Sequence, residues 1–360
     1  NLIMEKRIMV KSSSFGLTII FLMNIMVGQS VSDFGSMTND RLGTTAAMEL
    51  LIPVGARDMA MGGAGIATST GLESIYWNPA GLGRITGKAS GLFSNMNYIA
   101  DIGVNYGAVG LNFGKSGVFA FSAKAVDYGR ILLTTVDDPE GIAGRTFTPN
   151  FLNLGFSYAR PFTASITAGA TVKMFSQNIS RVTGKGMAID IGLQYSGVAG
   201  IPGIHLGVVV KNMGPQVSYD GPGLSRMADP EEGRRPAQFF QSQAASFELP
   251  SSVEIGLAYD YNISDGLNLT MNGAYAKNNL TINAYKFGGE VTLKVSALTV
   301  AGRAGMDMLN TEKFDENIYG PRFGFGLTFE TPGPLVTIDY AYRTVSYFDN
   351  NSMVSIQLGF

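Results

Sequence analysis

Cysteine does not occur in this chain, and histidine occurs once, at His205. The first absence excludes disulfides, thiolate nucleophiles, cysteine-ligated metals and a lipidated cysteine anchor. The second leaves nothing for a multi-histidine metal centre. A Ser-His-Asp hydrolase would have to use His205, which has no evident nucleophile beside it in sequence. Charge is also scarce, at 15% of residues, where soluble domains carry about a quarter. The formal net charge is −2 and no long run is basic. Nucleic acid is therefore not expected as a partner, because neutralising phosphates needs a clustered positive face. The GxSxG, HExxH and Walker patterns are missing too. Neither an enzyme nor a cofactor is expected, and no metal site.

Long apolar runs are nearly absent as well. The one exception follows the basic stretch MEKRIMVK at 4–11 and covers Phe15 to Gly28. It is about 14 residues long, short of the roughly 20 that a spanning helix needs. Basic, then apolar, then small or polar is the pattern of a secretory signal peptide, so residues 1–28 are expected to direct export, with cleavage near Gly28 to Ser30. A retained anchor helix is the alternative, and export follows from either.

What the rest of the chain has in quantity is glycine, with 46 residues, and alternation with a period of two. Val253, Ile255, Leu257, Tyr259 and Tyr261 oppose Ser252, Glu254, Gly256, Ala258 and Asp260. Leu269 and Met271 oppose Asn268, Thr270 and Asn272; Val172 and Met174 oppose Thr171 and Lys173; Phe323, Phe325 and Phe329 oppose Arg322, Gly324 and Glu330. A β-sandwich alternates in the same way, but these runs are longer than its usual strands of about five or six residues. They fit the roughly 9 to 11 residues of a membrane barrel strand, with one face to lipid and one to a lumen. Strands are expected at 88–98, 102–113, 117–127, 151–160, 164–175, 185–196, 203–212, 251–261, 266–276, 285–296, 298–308, 320–330, 334–344 and 351–360. That is an even number, about 14, as closed bacterial barrels require. The expected fold class is all-β: a closed transmembrane antiparallel barrel over 86–360.

Connection lengths were not used to place the strands, yet they sort by side. The long ones, 129–150, 176–184, 213–250 and 309–319, all follow odd strands; those after even strands are short. Membrane barrels have short periplasmic turns and long outer loops, so the termini are expected on the periplasmic side of a bacterial outer membrane.

Residues 29–85 do not alternate. Gly62-Gly63-Ala64-Gly65 lacks the GxGxxG spacing and a flanking βαβ unit, so a dinucleotide site is not expected. Irregular backbone cannot face lipid but can fold in a lumen, so this segment is expected to form a hatch or plug. Pro79 restricts Asn78 to extended backbone, where its side chain can tie a turn. The hatch charges Arg57, Asp58 and Glu73 need partners, for which Glu254, Asp260, Glu290, Lys294 and Arg322 on lumen-facing phases are candidates.

The stretch GARDMAMGGAGIATSTGLESIYWNPAGL resembles the N-terminal signature of the PorV/PorQ family, relatives of FadL-type outer-membrane transport proteins. The matching residues are Gly55-Ala56-Arg57, Met61-Gly62-Gly63-Ala64, Ile66-Ala67 and Tyr76-Trp77-Asn78-Pro79-Ala80-Gly81-Leu82. Val210-Lys211-Asn212-Met213-Gly214-Pro215 resembles a later family segment. The resemblance implies a 14-stranded barrel whose hatch motif includes Asn78, Pro79 and Ala80. It implies two tasks: binding or passage of hydrophobic small molecules, or an adaptor and cargo-shuttle role in the type IX secretion system. The partners implied are outer-membrane lipid and either a hydrophobic small molecule or a secretion component or cargo protein.

Elsewhere, Phe239, Phe240 and Phe247 in the long 213–250 loop are candidates either for packing into the barrel mouth or for a ligand or partner surface. Glu231, Glu232, Arg234 and Arg235 read as a solvated face of that loop. Asp137, Asp138 and Glu140 lack the spacing of a calcium loop and read as a surface turn. His205 reads as a solitary lumen or rim histidine.

Overall fold

A lipid-exposed strand must satisfy all its backbone hydrogen bonds with neighbours, and only a closed sheet does so without an edge. The computed structural model describes residues 44–228, 238–279, 282–309 and 317–360. In it the strands close into one barrel. They are β1 Ala89–Asn97, β2 Gly103–Asn112, β3 Val118–Asp127, β4 Asn150–Pro161, β5 Ile166–Ile179, β6 Val182–Ser196, β7 Ile204–Met213, β8 Ser252–Ser264, β9 Leu267–Asn278, β10 Ala284–Val295, β11 Leu298–Leu309, β12 Tyr319–Phe329, β13 Leu335–Val345 and β14 Asn351–Gly359. Each pairs antiparallel with its chain neighbours, and β14 pairs with β1 from Ser90↔Gly359 to Asn97↔Ser352. The fold is thus the all-β, closed 14-stranded antiparallel transmembrane barrel that the alternation implies.

The two faces separate as the pattern requires. On β8, Val253, Ile255 and Leu257 are exposed while Ser252, Glu254 and Ala258 are buried. Phe93, Val109, Phe121, Phe156 and Phe325 are exposed in the same outward sense on other strands. At the short-turn end, Phe113, Phe119 and Phe162 are exposed, and Phe119 packs on Tyr158 with ring centroids 4.8 Å apart. Aromatics in that position match the interfacial girdle of a membrane barrel.

One connection departs from expectation. The loop placed at 176–184 is a turn of two residues, Ser180 and Arg181, because β5 runs to Ile179 and β6 begins at Val182. Alternation ends at 176 since a strand that rises beyond the lipid has no face that must be apolar. The long loops, 128–149 and 214–251, follow β3 and β7 as read.

Residues 44–88 fill the lumen. They form short helical turns at Met48–Leu51, Ala56–Ala60, Gly65–Ala67, Ser74–Trp77 and Pro79–Arg84. Met59, Met61, Ile66, Leu72 and Leu82 are fully buried there. The 1–28 export segment and residues 29–43 of the expected hatch lie outside the described residues.

Candidate functional site

The hatch is held to the wall by backbone approach, which wall glycines permit. Three cross-strand pairs, Gly169↔Gly192, Gly207↔Gly256 and Gly288↔Gly305, face the lumen. A side chain on Gly169 or Gly192 would strike Pro79 or Asn78, one on Gly207 or Gly256 would strike Ile66, and one on Gly288 or Gly305 would strike Met61. Gly62 and Gly63, with φ of 71° and 72°, are left-handed, which glycine adopts without strain. A Cβ on Gly62 would sit 2.8 Å from the Met306 backbone, and one on Gly63 2.7 Å from the Trp77 ring.

Asn78 ties the hatch together. It is extended, at φ −154° and ψ 106°, before Pro79. Its Nδ2 donates to the carbonyls of Ile66 (2.9 Å) and of wall residue Leu193 (3.2 Å), and its Oδ1 accepts from the Ala80 amide (3.1 Å). Trp77 Nε1 donates to the Val54 carbonyl at 2.9 Å. Pro79 and Ala80 are buried against the wall.

Of the proposed lumen partners, Arg57 takes Glu290. Nη2 and Nε lie 2.9 and 3.1 Å from its two carboxylate oxygens. Glu290 also accepts from Arg303 (2.5 Å), which reaches Asp339 (2.6 Å). Asp58 accepts from Ser69 Oγ (2.5 Å). Glu254 instead serves Lys211 and Lys286, Arg322 takes Asp307, Lys294 takes Glu330, and Asp260 takes His205 at 3.0 Å.

Arg57, Asp58, Glu73, Glu290, Arg303 and Asp339 thus bring four carboxyls and two guanidiniums into one buried cluster. Asp58 and Glu73 are 0% and 4% exposed, and Asp58 Oδ1 and Glu73 Oε2 have no hydrogen-bond partner among the described residues. Burial raises the Asp58 carboxyl, and burial, then the Asp339 and Asp58 charges, push Glu73 up to about 8. A carboxyl raised in the folded state binds a proton that the unfolded state has released. Hatch stability should therefore fall as pH rises from near 4.5, the ordinary value, through about 8. Amide exchange of 55–82, corrected for intrinsic rates, is expected to quicken across that window in the native protein. Glu73→Gln should flatten the dependence; an equally steep profile in that variant would remove Glu73 as its source.

Towards the long-loop end, above the hatch, lies a cavity of about 610 Å³. Leu50, Tyr76 and Trp77 line its hatch side, and Tyr98, Tyr128, Tyr219 and Tyr319 line its walls. Lys211 stands 5.2 Å from the Tyr76 ring centre and 5.3 Å from that of Trp77. Beside the cavity the wall carries a seam. The β11–β12 ladder stops at Gly305↔Arg322, so Met306–Leu309 have no ladder partner on β12 among the described residues. β12 changes register at Gly320 and Pro321, the latter having no amide to donate. Asp307, Leu309, Tyr319 and Arg322 border both seam and cavity.

The sequence reading named Arg322 only as a lumen charge and did not single out Asp307, Leu309 or Tyr319, nor Glu49, which accepts from Tyr128 and Gln177 at 2.6 Å each. Each lies on the polar phase of a strand or in a loop, where a cavity-lining residue looks like any other lumen residue.

The loop aromatics divide. Phe247 packs on Tyr219, with centroids 6.0 Å apart. Phe239 and Phe240 are 73% and 47% exposed, on a hairpin pairing Ser225–Ala228 with Gln238–Gln241. Glu231, Glu232, Arg234 and Arg235 lie outside the described residues. Asp138 caps a surface turn through the amides of Ile142 (2.7 Å) and Ala143 (3.1 Å).

No family model matches the chain, and no curated protein does. Solved structures do. The CymD monoaromatic hydrocarbon channel superposes with a TM-score of 0.54 at 14% identity, over 86% of this chain and 98% of its own. The Pseudomonas putida toluene transporter TodX gives 0.54 at 13%, over 86% and 99%. The Ralstonia pickettii toluene transporter TbuX gives 0.52 at 14%, over 86% and 98%. At such identities the likeness is one of fold, a closed barrel shared with these channel and transporter structures.

Proposed function

We propose that this chain is an exported outer-membrane barrel of FadL type that binds hydrophobic small molecules above its hatch and passes them. The observation that carries the reading is the aromatic cavity lying against a seam in the wall where the β11–β12 ladder lapses among the described residues. A passage barrel needs both a pocket and a break in the wall, whereas a purely structural barrel needs neither. The fold likeness to hydrocarbon channels is consistent with this and assigns no substrate. In this reading residues 29–85 are the hatch, the 55–82 motif seals the lumen, and the long loops face outward.

The test is uptake of a labelled apolar aromatic compound by cells carrying or lacking the protein. Ala276 lines the cavity and is 2% exposed. Ala276→Trp is expected to fill the cavity and cut uptake severalfold in a correctly assembled barrel. Undiminished uptake would remove the cavity from the route. Asn78→Ala and Arg57→Ala are expected to raise passive permeability; if both assembled variants match the native protein, the hatch does not seal the pore.

A second reading, the type IX secretion adaptor, rests on the exposed Phe239 and Phe240. The structural neighbours lend it no support. It requires that replacing both with alanine abolish retention of a protein partner while barrel heat stability stays unchanged.

A further inference from the structure

The cavity is aromatic but not neutral. Five cations line it, Lys173, Lys211, Lys286, Arg322 and Arg343, with three carboxylates, Glu49, Glu254 and Asp307. Lys173 is neutralised from outside the lining by Asp190, 2.5 Å away. Lys211 and Lys286 share Glu254, and Arg322 pairs with Asp307 at 2.6 Å. Arg343 has no carboxylate partner among the described residues, although it is only 3% exposed. Its guanidinium lies 3.8 Å from the Tyr319 ring centre and 5.5 Å from that of Tyr98, and the two tyrosine hydroxyls meet at 2.6 Å. Among the described residues, the buried Nε and Nη2 of Arg343 have no hydrogen-bond partner, and neither does Nε of Arg322.

A buried guanidinium left with free donors is costly unless something supplies acceptors. Nε and Nη2 form one edge of the guanidinium plane, the edge that takes a carboxylate in two parallel hydrogen bonds. With Asp190 included, five cations face four carboxylates among the described residues, an excess of one positive charge that calls for one negative charge. Tyr98 and Tyr319 hold Arg343 and line the cavity together with Trp77, so a ligand ring attached to the carboxylate would lie among aromatic side chains. A long alkyl tail fits the site less well, because it would lie across the Lys211–Glu254–Lys286 triad and desolvate it without compensation.

We infer that the cavity takes an aryl carboxylate, bound by the Nε–Nη2 edge of Arg343 with Arg322 adjacent and its ring among Tyr98, Tyr319 and Trp77. This deepens the small-molecule reading above and rests on it. It departs from a neutral hydrocarbon as the preferred ligand.

The experiment is calorimetric titration of the full chain, purified in mild detergent, with benzoate, toluene and octanoate. Benzoate is expected to bind saturably and at least about tenfold more tightly than either of the others. Arg343→Gln should weaken benzoate about tenfold or more, the size of a lost charged hydrogen bond, and leave toluene unchanged. Arg343→Lys, which keeps the charge but loses the two-point edge, should fall between. Heat-modifiable mobility on gels verifies that each variant is a folded barrel; Arg322→Gln, expected to weaken benzoate severalfold, serves if Arg343→Gln does not assemble. Toluene binding as tightly as benzoate overturns the acid-group inference and leaves the passage reading standing. Octanoate binding more tightly overturns the aromatic preference, and unchanged benzoate affinity in folded Arg343→Gln overturns the site. Binding of none of the three overturns both this inference and the reading beneath it.

Discussion

Gly305→Leu is expected to unseat the hatch while leaving the barrel able to close. The leucine Cβ would enter the space of the Met61 carbonyl carbon and lie 2.5 Å from the Gly62 amide nitrogen. Overpacking among mobile side chains costs about 1–3 kcal/mol. Here both colliding parties are backbone, one in a wall ladder from Gly288↔Gly305 onward and one in a left-handed turn, so neither gives locally. The least costly response is for 55–67 to leave the wall. That response exposes Met61 and Ile66, both fully buried, at about 1.5–3 kcal/mol each. The expected result is protease cleavage within the hatch and a large rise in antibiotic permeability. Gly302, on the same strand, faces outward with nothing within 4 Å of a built Cβ. Gly302→Leu should leave both readouts unchanged. Full protection of the hatch in an assembled Gly305→Leu barrel would show that the wall glycines are not what seats it.

The second large effect is expected from Glu290→Ala. Glu290 is the only carboxylate that Arg57 contacts among the described residues, and it also bonds Arg303. Its removal leaves Arg57 with only the Thr68 carbonyl at 3.4 Å. Breaking one member of a buried ion network typically costs about 3–5 kcal/mol, because the remaining charge stays desolvated. The barrel ladders do not depend on this pair, so the loss should appear as faster amide exchange in 55–82 rather than as a lower barrel melting temperature. Arg57→Met combined with Glu290→Ala should recover part of the loss, since it removes the orphaned cation as well. Additive effects of the two substitutions would mean that Arg57 and Glu290 do not act as a pair.

The barrel was readable because lipid imposes its constraint residue by residue. Every second position of a spanning strand must be apolar, as with Val253, Ile255 and Leu257, and the turns must fall where the alternation stops. The strand ends that were misplaced, Ile179 and Val182, lie where that constraint ceases to apply. Asn78-Pro79-Ala80 stood out because a proline fixes local geometry and an asparagine beside it has few other reasons to be there. The pairing of Arg57 with Glu290 came from a list of lumen carboxylates and required the fold to choose among them.

The candidate ligand site was not readable. Tyr98, Lys211, Tyr319 and Arg343 come from the β1–β2 loop, β7, β12 and β13, and nothing local relates them. Their nearness depends on strand order and on how deep the hatch sits. The three glycine pairs were invisible for a similar reason: on a polar phase, glycine is one small residue among many, and only register places 169 opposite 192 or 288 opposite 305. The sequence by itself determined an alternating, closed, even-stranded sheet with a non-alternating segment that has to be kept from lipid. The tertiary structure alone decided which charges meet, where the β11–β12 ladder lapses and which lining cation has no carboxylate among the described residues, because those follow from distances between strands far apart in the chain.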